Sequence, residues 1–375
     1  MFFTHFRFIR HTGCIAIDLS VRLQMFLRVM SKTKKDVTIY DIAAQLDISV
    51  ATVSRALRND PVVSDKTKKR VFDLAEKHGY QANQFARSLR QQHTNTIGVI
   101  IPRLNSYFMA SVIAGIENVA NQAGYNLIIS QSSESPEREA INVRTMFNNR
   151  VDGLLVSLSY LTNNLEPFEK FARKNIPVIF FDRSPENSSF TNIRINNVQA
   201  AYEATKHLLS QGRRRIAHVT VSNTQSIYKE RFQGYSMALA EFGIPLDKSL
   251  IHLADLSMES GTEAAKYLLS QPNRPDAVFV ANDNCAAGCV IGLKAQGIRV
   301  PEDIAVVGFN DDPVSRIVEP NLTTIHYPGH EMGELAARSL INHLSGAGDI
   351  MMTQTILLRS DLVVRQSSGA LVPSH

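Results

Sequence analysis

Val50, Ala51 and Arg55 stand near the start of a short segment, Ser49 to Leu57, whose residue types suit the edge of a nucleic-acid base. A guanidinium such as that of Arg55 can donate two hydrogen bonds to O6 and N7 of guanine, worth about 1–3 kcal/mol of discrimination. Val50 and Ala51 offer apolar contact to thymine methyl groups. The hydroxyls of Ser49, Thr52 and Ser54, with Thr38 and Tyr40 just upstream, suit phosphate oxygens, which position a protein without specifying sequence. Basic residues crowd the same end of the chain, including Lys32, Lys34, Lys35, Arg58, Lys66, Lys68, Lys69, Arg70, Arg87 and Arg90. A basic end points to a polyanion, although a run of charge can equally be a solvated face.

Other constellations carry less. Cys285 and Cys289, four residues apart, face one side of any helix there; without a CxxC pattern or a His partner they read as small packed side chains. Three cysteines give no disulfide framework, which fits a reducing, cytoplasmic compartment. His326 and His330 stand near Glu331 and Glu334, but Pro328 and Gly329 spoil the helical spacing a metal site would need. Neither a Gly-rich phosphate loop ending in Lys-Ser/Thr nor a Gly-x-Ser-x-Gly elbow occurs, so the sequence offers no enzyme motif and calls for no cofactor or metal.

The elements that must position these residues fall in two classes. From Thr38 to His78 the periodicity is helical and the helices are short. Ile39, Ile42, Ala43 and Leu46 recur at helical spacing, Asp47-Ile48 break the run, and Ser49 can cap a second helix carrying Val53 and Leu57. Arg58-Asn59-Asp60-Pro61 is a turn, Ser64 can cap a third helix with Val71, Leu74 and Ala75 inward, and Gly79 supplies a stop. A small residue at Ala43, a tight turn, and a second helix with apolar residues inward meet the needs of a helix-turn-helix. From Thr96 onward, apolar runs at 97–101, 127–130, 153–158, 178–182, 216–221, 277–281 and 304–309 alternate with helical stretches such as 200–209 and 331–343. Near-continuous Val/Ile/Leu runs between helices predict parallel sheets covered on both faces, and the length favours two lobes.

The chain has 375 residues, 44% hydrophobic and 20% charged, with a net charge of +5. No segment is apolar for the roughly 20 residues a membrane span needs. Residues 1–29 mix Phe and Ile with arginines and lack a signal-peptide pattern; Met30 opens Met-Ser-Lys-Thr-Lys-Lys, which reads like a natural start. The expected domains are an N-terminal extension (1–36), a helix-turn-helix headpiece (37–80), a hinge and linker (81–95), a two-lobed α/β body (96–368) and a tail (369–375).

Val37-Thr38-Ile39-Tyr40-Asp41-Ile42-Ala43, then Ser49 to Leu57, Val63-Ser64, Gly79-Tyr80 and Asn83 to Leu89 closely resemble the lactose-repressor (LacI/GalR) family. The resemblance runs on through Ile97-Gly98-Val99-Ile100, Val151-Asp152-Gly153, Arg231-Phe232-Gln233-Gly234-Tyr235, Ala281-Asn282-Asp283, Val307 to Asp311 and Leu322 to Ile325. It implies a periplasmic-binding-protein-like core, with an N-lobe near 96–195 and 327–352 and a C-lobe near 196–326 and 353–368. Crossings are expected near Ile195–Asn197, Thr324–Tyr327 and Thr353. It implies a homodimer, or a tetramer, on double-stranded operator DNA, with Asn83, Ala86 and Leu89 in a hinge helix whose leucine wedges into the minor groove. The family usually carries Pro where Ala82 stands here.

Ligands of open α/β sheets sit beyond the carboxyl ends of strands. Tyr107 and Phe108 follow the first run and could stack on a sugar or purine face. Asp182, Asn282 with Asp283, and Asn310 with Asp311 end later runs, and Arg231 matches the family's ligand-contacting arginine. Each could singly be a cap or turn residue. As a set they predict a small-molecule effector site for a sugar or sugar derivative. The alternatives are a nucleobase sensor, a solute-binding protein on the same core, or an enzyme on it.

Overall fold

The computed structural model of the chain describes residues 37–80, 93–185, 189–221, 226–350 and 355–369. Residues 1–36, the hinge residues Asn83, Ala86 and Leu89, Thr353 and residues 370–375 lie outside them. The chain divides into two units between Arg90 and Gln91.

The first unit is three helices: α1 (Ile39–Leu46), α2 (Val50–Leu57) and α3 (Asp65–Lys77). Thr38 caps α1 in a capping box, its hydroxyl and its N–H both donating to Asp41 Oδ2 at 2.7 and 2.8 Å. Asp47, in the left-handed region at φ 55°, reverses the chain, and Ser49 and Ser64 cap α2 and α3. Ile42, Ala43, Val53, Ala56, Val63, Val71 and Ala75 form the buried core. Gly79, at φ +62°, ends α3 where a side chain would be strained.

The second unit holds two parallel sheets. In the first lobe, β1 (Thr96–Ile101), β2 (Asn126–Gln131), β3 (Gly153–Val156), β4 (Val178–Phe181), β5 (Thr191–Ile195) and β11 (Thr355–Leu358) run in the order β11-β5-β4-β3-β1-β2. Ile97, Val99 and Ile101 enter one core cluster while Ile100 enters another, because both faces of β1 are covered. One face carries α4 (Tyr107–Gln122) and α12 (Gly329–Leu344); α5 (Pro136–Asn148) and α6 (Glu166–Ala172) pack with the Ile100 cluster. Helices α4 and α12 cross closely, since a Cβ at Gly115 would overlap the His330 carbonyl and one at Gly333 the Val112 carbonyl.

In the second lobe, β6 (Ile216–Thr220), β7 (Ile251–Leu253), β8 (Ala277–Val280) and β9 (Ala305–Val307) run in the order β7-β6-β8-β9. Around them lie α7 (Asn197–Ser210), α8 (Ser226–Glu241), α9 (Met258–Ser270), α10 (Asp283–Ala295) and the single turn α11 (Val314–Ile317). Cys285 and Cys289 are buried on α10, whose backbone lies against Gly261 of α9.

The chain crosses between lobes at Asn196, again after β10 (Thr324–Ile325), and a third time between β11 and β12 (Leu362–Val363). The last two crossings pair as an antiparallel ribbon, Thr324 opposite Val363 and Ile325 opposite Leu362. The third crossing corrects the expected lobe boundary. Residues 355–358 belong to the first lobe, where β11 pairs in parallel with β5 and packs Ile356 and Leu358 on the core, leaving Leu357 exposed. The strand is the sixth of the first sheet rather than the start of the second lobe's last segment. The sequence reading also passed over β5, β7, β10, β11 and β12, none longer than five residues.

Candidate nucleic-acid interface and ligand cleft

In the headpiece the start of α2 gathers polar groups. The Thr52 N–H donates to Ser49 Oγ at 3.1 Å, and the two hydroxyls lie 2.8 Å apart. Ala51 and Arg55 are exposed, while Val53 and Ala56 are buried. Ser54 and Thr52 are half-buried, and Tyr40 on α1 is 69% exposed. Val50 differs from expectation: it is half-buried and packs on the headpiece core, so less of its surface is left for a thymine methyl. Thr38 is spent on its own helix cap. The exposed Lys66, Lys69 and Arg70 lie in the first turns of α3.

In the second unit a cavity of about 290 Å³ lies between the lobes. Of the eight expected ligand residues, Phe108, Asp182, Arg231, Asn282 and Asn310 line it. Tyr107 does not: it is 56% exposed, one position before the inward-facing Phe108 on α4. Asp283 does not either. It is fully buried beneath the cleft, accepting from Thr324 Oγ1 at 2.7 Å and from the Asp312 N–H at 2.8 Å. Burial pushes its carboxyl up to about 7, although the Thr324 hydroxyl works the other way. Asp311 faces away from the cavity and accepts from Arg365 at 2.6 Å and Arg316 at 3.0 Å. Burial alone would raise its pKa; those guanidiniums outweigh it and hold the carboxyl below its ordinary value.

The five lining residues are held by different elements. Asp182 follows β4 with φ 56°, accepting from Tyr327 Oη at 2.8 Å and Ser157 Oγ at 3.3 Å. Burial pushes its carboxyl above the ordinary range despite the neighbouring Arg183 charge. Arg231 reaches from α8, donating from Nε to Asn197 Oδ1 at 3.0 Å and from Nη1 to the Ala281 carbonyl at 2.7 Å. Its Cζ lies 3.6 Å from the centre of the Phe309 ring. Asn282 doubles as the cap of α10, accepting from the Cys285 N–H at 2.8 Å and donating to the Leu256 carbonyl at 3.0 Å. Phe108 packs on Tyr327 with centroids 4.3 Å apart. Left-handed backbone recurs around the cleft, at Glu134, Asp182, Leu256 and Asn310, the last at φ 120°. Such strain gathers where structure is built around a ligand.

Further lining residues were not singled out from sequence: Arg103, Glu134, Tyr160, Arg183, Tyr228, Asp255, Asp312 and Tyr327 among them. Arg183 and Asp312 were within reach, since each follows directly on an expected strand-end residue. Glu134 and Tyr228 carried no comparable signal.

The comparisons with known proteins match this architecture. The family model described as "Bacterial regulatory proteins, lacI family" matches residues 38–83, and that described as "Periplasmic binding protein-like domain" matches residues 205–368. Catabolite control protein A of Priestia megaterium is 33% identical over 311 residues, covering 83% of this chain and 93% of that protein. The chain belongs to the LacI family of bacterial regulatory proteins. The crystal structure of the Lac repressor dimer bound to operator and the anti-inducer ONPF aligns with a TM-score of 0.80 and 26% identity, over 90% of this chain and 100% of that one. The transcriptional regulator CelR–cellobiose complex aligns with a TM-score of 0.66 and 28% identity, over 88% and 99%. This LacI-family protein is a DNA-binding transcription regulator with a small-molecule-binding core.

Proposed function

We propose that this regulator binds a palindromic operator as a homodimer, with a neutral sugar in the interlobe cleft setting its affinity for DNA. The chemistry of the cavity wall carries the reading. Three guanidiniums, of Arg103, Arg183 and Arg231, face four carboxyls, of Glu134, Asp182, Asp255 and Asp312, so the wall leaves no surplus positive charge for an anionic ligand to meet. Carboxylates, amides and guanidiniums converging among apolar walls suit a ligand whose hydroxyls both donate and accept. A nucleobase asks instead for a flat slot, and the two rings that meet in the cleft, Phe108 and Tyr327, pack on one another. The cellobiose in the CelR complex supports the sugar class.

On the DNA side, Arg55 and Ala51 at the start of α2 read base edges while Ser49, Thr52 and the α3 lysines hold phosphates. Asn83, Ala86 and Leu89 form the hinge that meets the minor groove at the centre of the operator. For the dimer, Met258, Ile291 and Ile317 make an exposed apolar surface where α9, α10 and α11 meet, of the kind a second copy covers. Ligand binding changes the interlobe angle, and a coupling of about 1–3 kcal/mol would change operator affinity about 5- to 150-fold.

Selection from random DNA followed by gel shift with and without a sugar panel tests the reading. The expected result is a palindromic site whose affinity responds to a neutral sugar. Failure to enrich any sequence would refute the operator role.

A further inference from the structure

Arg194 stands where a strand of this kind calls for an apolar residue. It lies in β5, Thr-Asn-Ile-Arg-Ile, which is paired with β4 on one side and β11 on the other. Ile193 and Ile195 are buried in the core, as a strand inside a parallel sheet requires. Arg194 turns to the opposite face, beside Leu357 of β11, and its side chain is 32% exposed. Its Nη1 donates to Glu230 Oε1 at 2.5 Å. Glu230 is 21% exposed and belongs to α8, in the second lobe. The pairs Arg183–Glu134, Lys206–Glu241 and Arg215–Asp247 each join groups of one lobe, whereas this pair joins the two.

Drawing two charges partly out of water costs hydration that their attraction does little more than offset. Arg194 Nε is buried without a hydrogen-bond partner, which adds to that cost. Packing within the first lobe therefore does not account for the arginine, but its place in the chain does. Arg194 lies two residues before Asn196, where the chain first crosses between lobes, and Glu230 is next to Arg231, which lines the cleft. One turn of α8 thus meets the first lobe with one residue and the cavity with the next. We infer that the Arg194–Glu230 pair is an interlobe latch, which holds the lobes at their present angle and whose release changes operator affinity. A ligand that draws on Arg231 moves the same turn of α8 and so loads the latch. The effect on DNA rests on the operator reading above; the latch itself does not.

A double-mutant cycle on the full chain tests the latch. Nitroxides are attached at Asn148→Cys on the first lobe and Gln211→Cys on the second, both exposed positions, in a chain carrying Cys14→Ser, since Cys285 and Cys289 are buried. Dilution into excess unlabelled chain keeps both spins of a pair within one protomer, and pulsed EPR reads the interlobe distance. The expected result is that Arg194→Gln and Glu230→Gln each broaden or shift the distance distribution, and that the double variant goes no further than either single one. Arg194→Lys, which keeps a charge within reach of Glu230, should stay close to wild type. Operator affinity should change alike in the two glutamine variants and their double, by about two- to fivefold for a pair this exposed. Unchanged distributions in both single variants, or effects that add in the double variant, overturn the latch. Distances that change while operator affinity stays constant overturn its role in DNA binding. Failure to select any operator refutes the operator reading instead, and the distances then decide the latch by themselves. Should Arg194→Gln fail to fold, Glu230→Gln carries the test, an unchanged distribution there overturning the latch.

Discussion

Replacing Asp283 with asparagine should remove a pH dependence of stability that the fold builds in. Asp283 sits at the start of α10 with no exposed surface, and a Cβ at Gly308 would overlap its Oδ1. Thr324, in the second crossing, and the Asp312 N–H are its donors. Two hydrogen bonds do not repay the lost hydration of the charge, so the carboxyl ionises near 7 in the fold against an ordinary 3.8. The sign follows from linkage. The folded pKa is the higher, so the group's contribution to stability is complete below 3.8 and is lost as pH rises through 7. Between pH 5 and pH 8 that loss is about 2–3 kcal/mol at 1.36 kcal/mol per pKa unit. An amide at this position cannot ionise, so the Asp283→Asn chain should lack that part of the slope, whatever its absolute stability. Urea denaturation of both proteins at pH 5, 6, 7 and 8, read by tyrosine fluorescence, measures the difference. Parallel stability curves for the two proteins over this range would refute the argument.

His218 should act in the opposite sense. It is buried, it stacks on Phe279 with centroids 4.8 Å apart, and burial lowers its pKa to about 4, so its contribution is lost as pH falls from 6.5 through 4. Comparing wild type with His218→Phe in melts from pH 7 to pH 4 should show a steeper acid loss in wild type. In the headpiece, Arg55→Ala should relax base preference at one operator position by about 1–3 kcal/mol, whereas Thr52→Ala should weaken all sites together. Equal losses on every operator variant for Arg55→Ala would exclude a base-reading role. Ile291→Lys places a charge in the apolar surface beside Met258 and Ile317, and sedimentation should show dissociation of the proposed dimer with a parallel loss of operator affinity. Operator binding should fall steeply with added salt, through counterion release.

Much of this protein could be read from local chemistry. The headpiece was legible because its signals are short-range: Ser49 and Ser64 three residues before the amides they cap, Val53 and Ala56 on one face of a helix. The parallel sheets were legible because strands covered on both faces become continuous Val/Ile/Leu runs, as in Thr96–Ile101. Strand-end polar residues marked the level of the cleft, and Asp182, Asn282 and Asn310 do line it.

What sequence spacing could not decide is which way a side chain turns at a strand end, and what meets it across the gap. Asp311 and Asp312 are adjacent, yet one pairs with Arg365 outside the cavity and the other lines it, because the left-handed backbone at Asn310 and Asp311 turns successive side chains apart. Tyr107 and Phe108 are likewise neighbours with opposite fates on α4. The lobe boundary moved because β11 adds to an edge that lies some 160 residues back along the chain, at β5. The cleft's charge balance arises the same way. Glu134, Arg183 and Tyr228 come from separate segments, and tertiary packing alone brings one carboxylate and two aromatic rings to a single guanidinium.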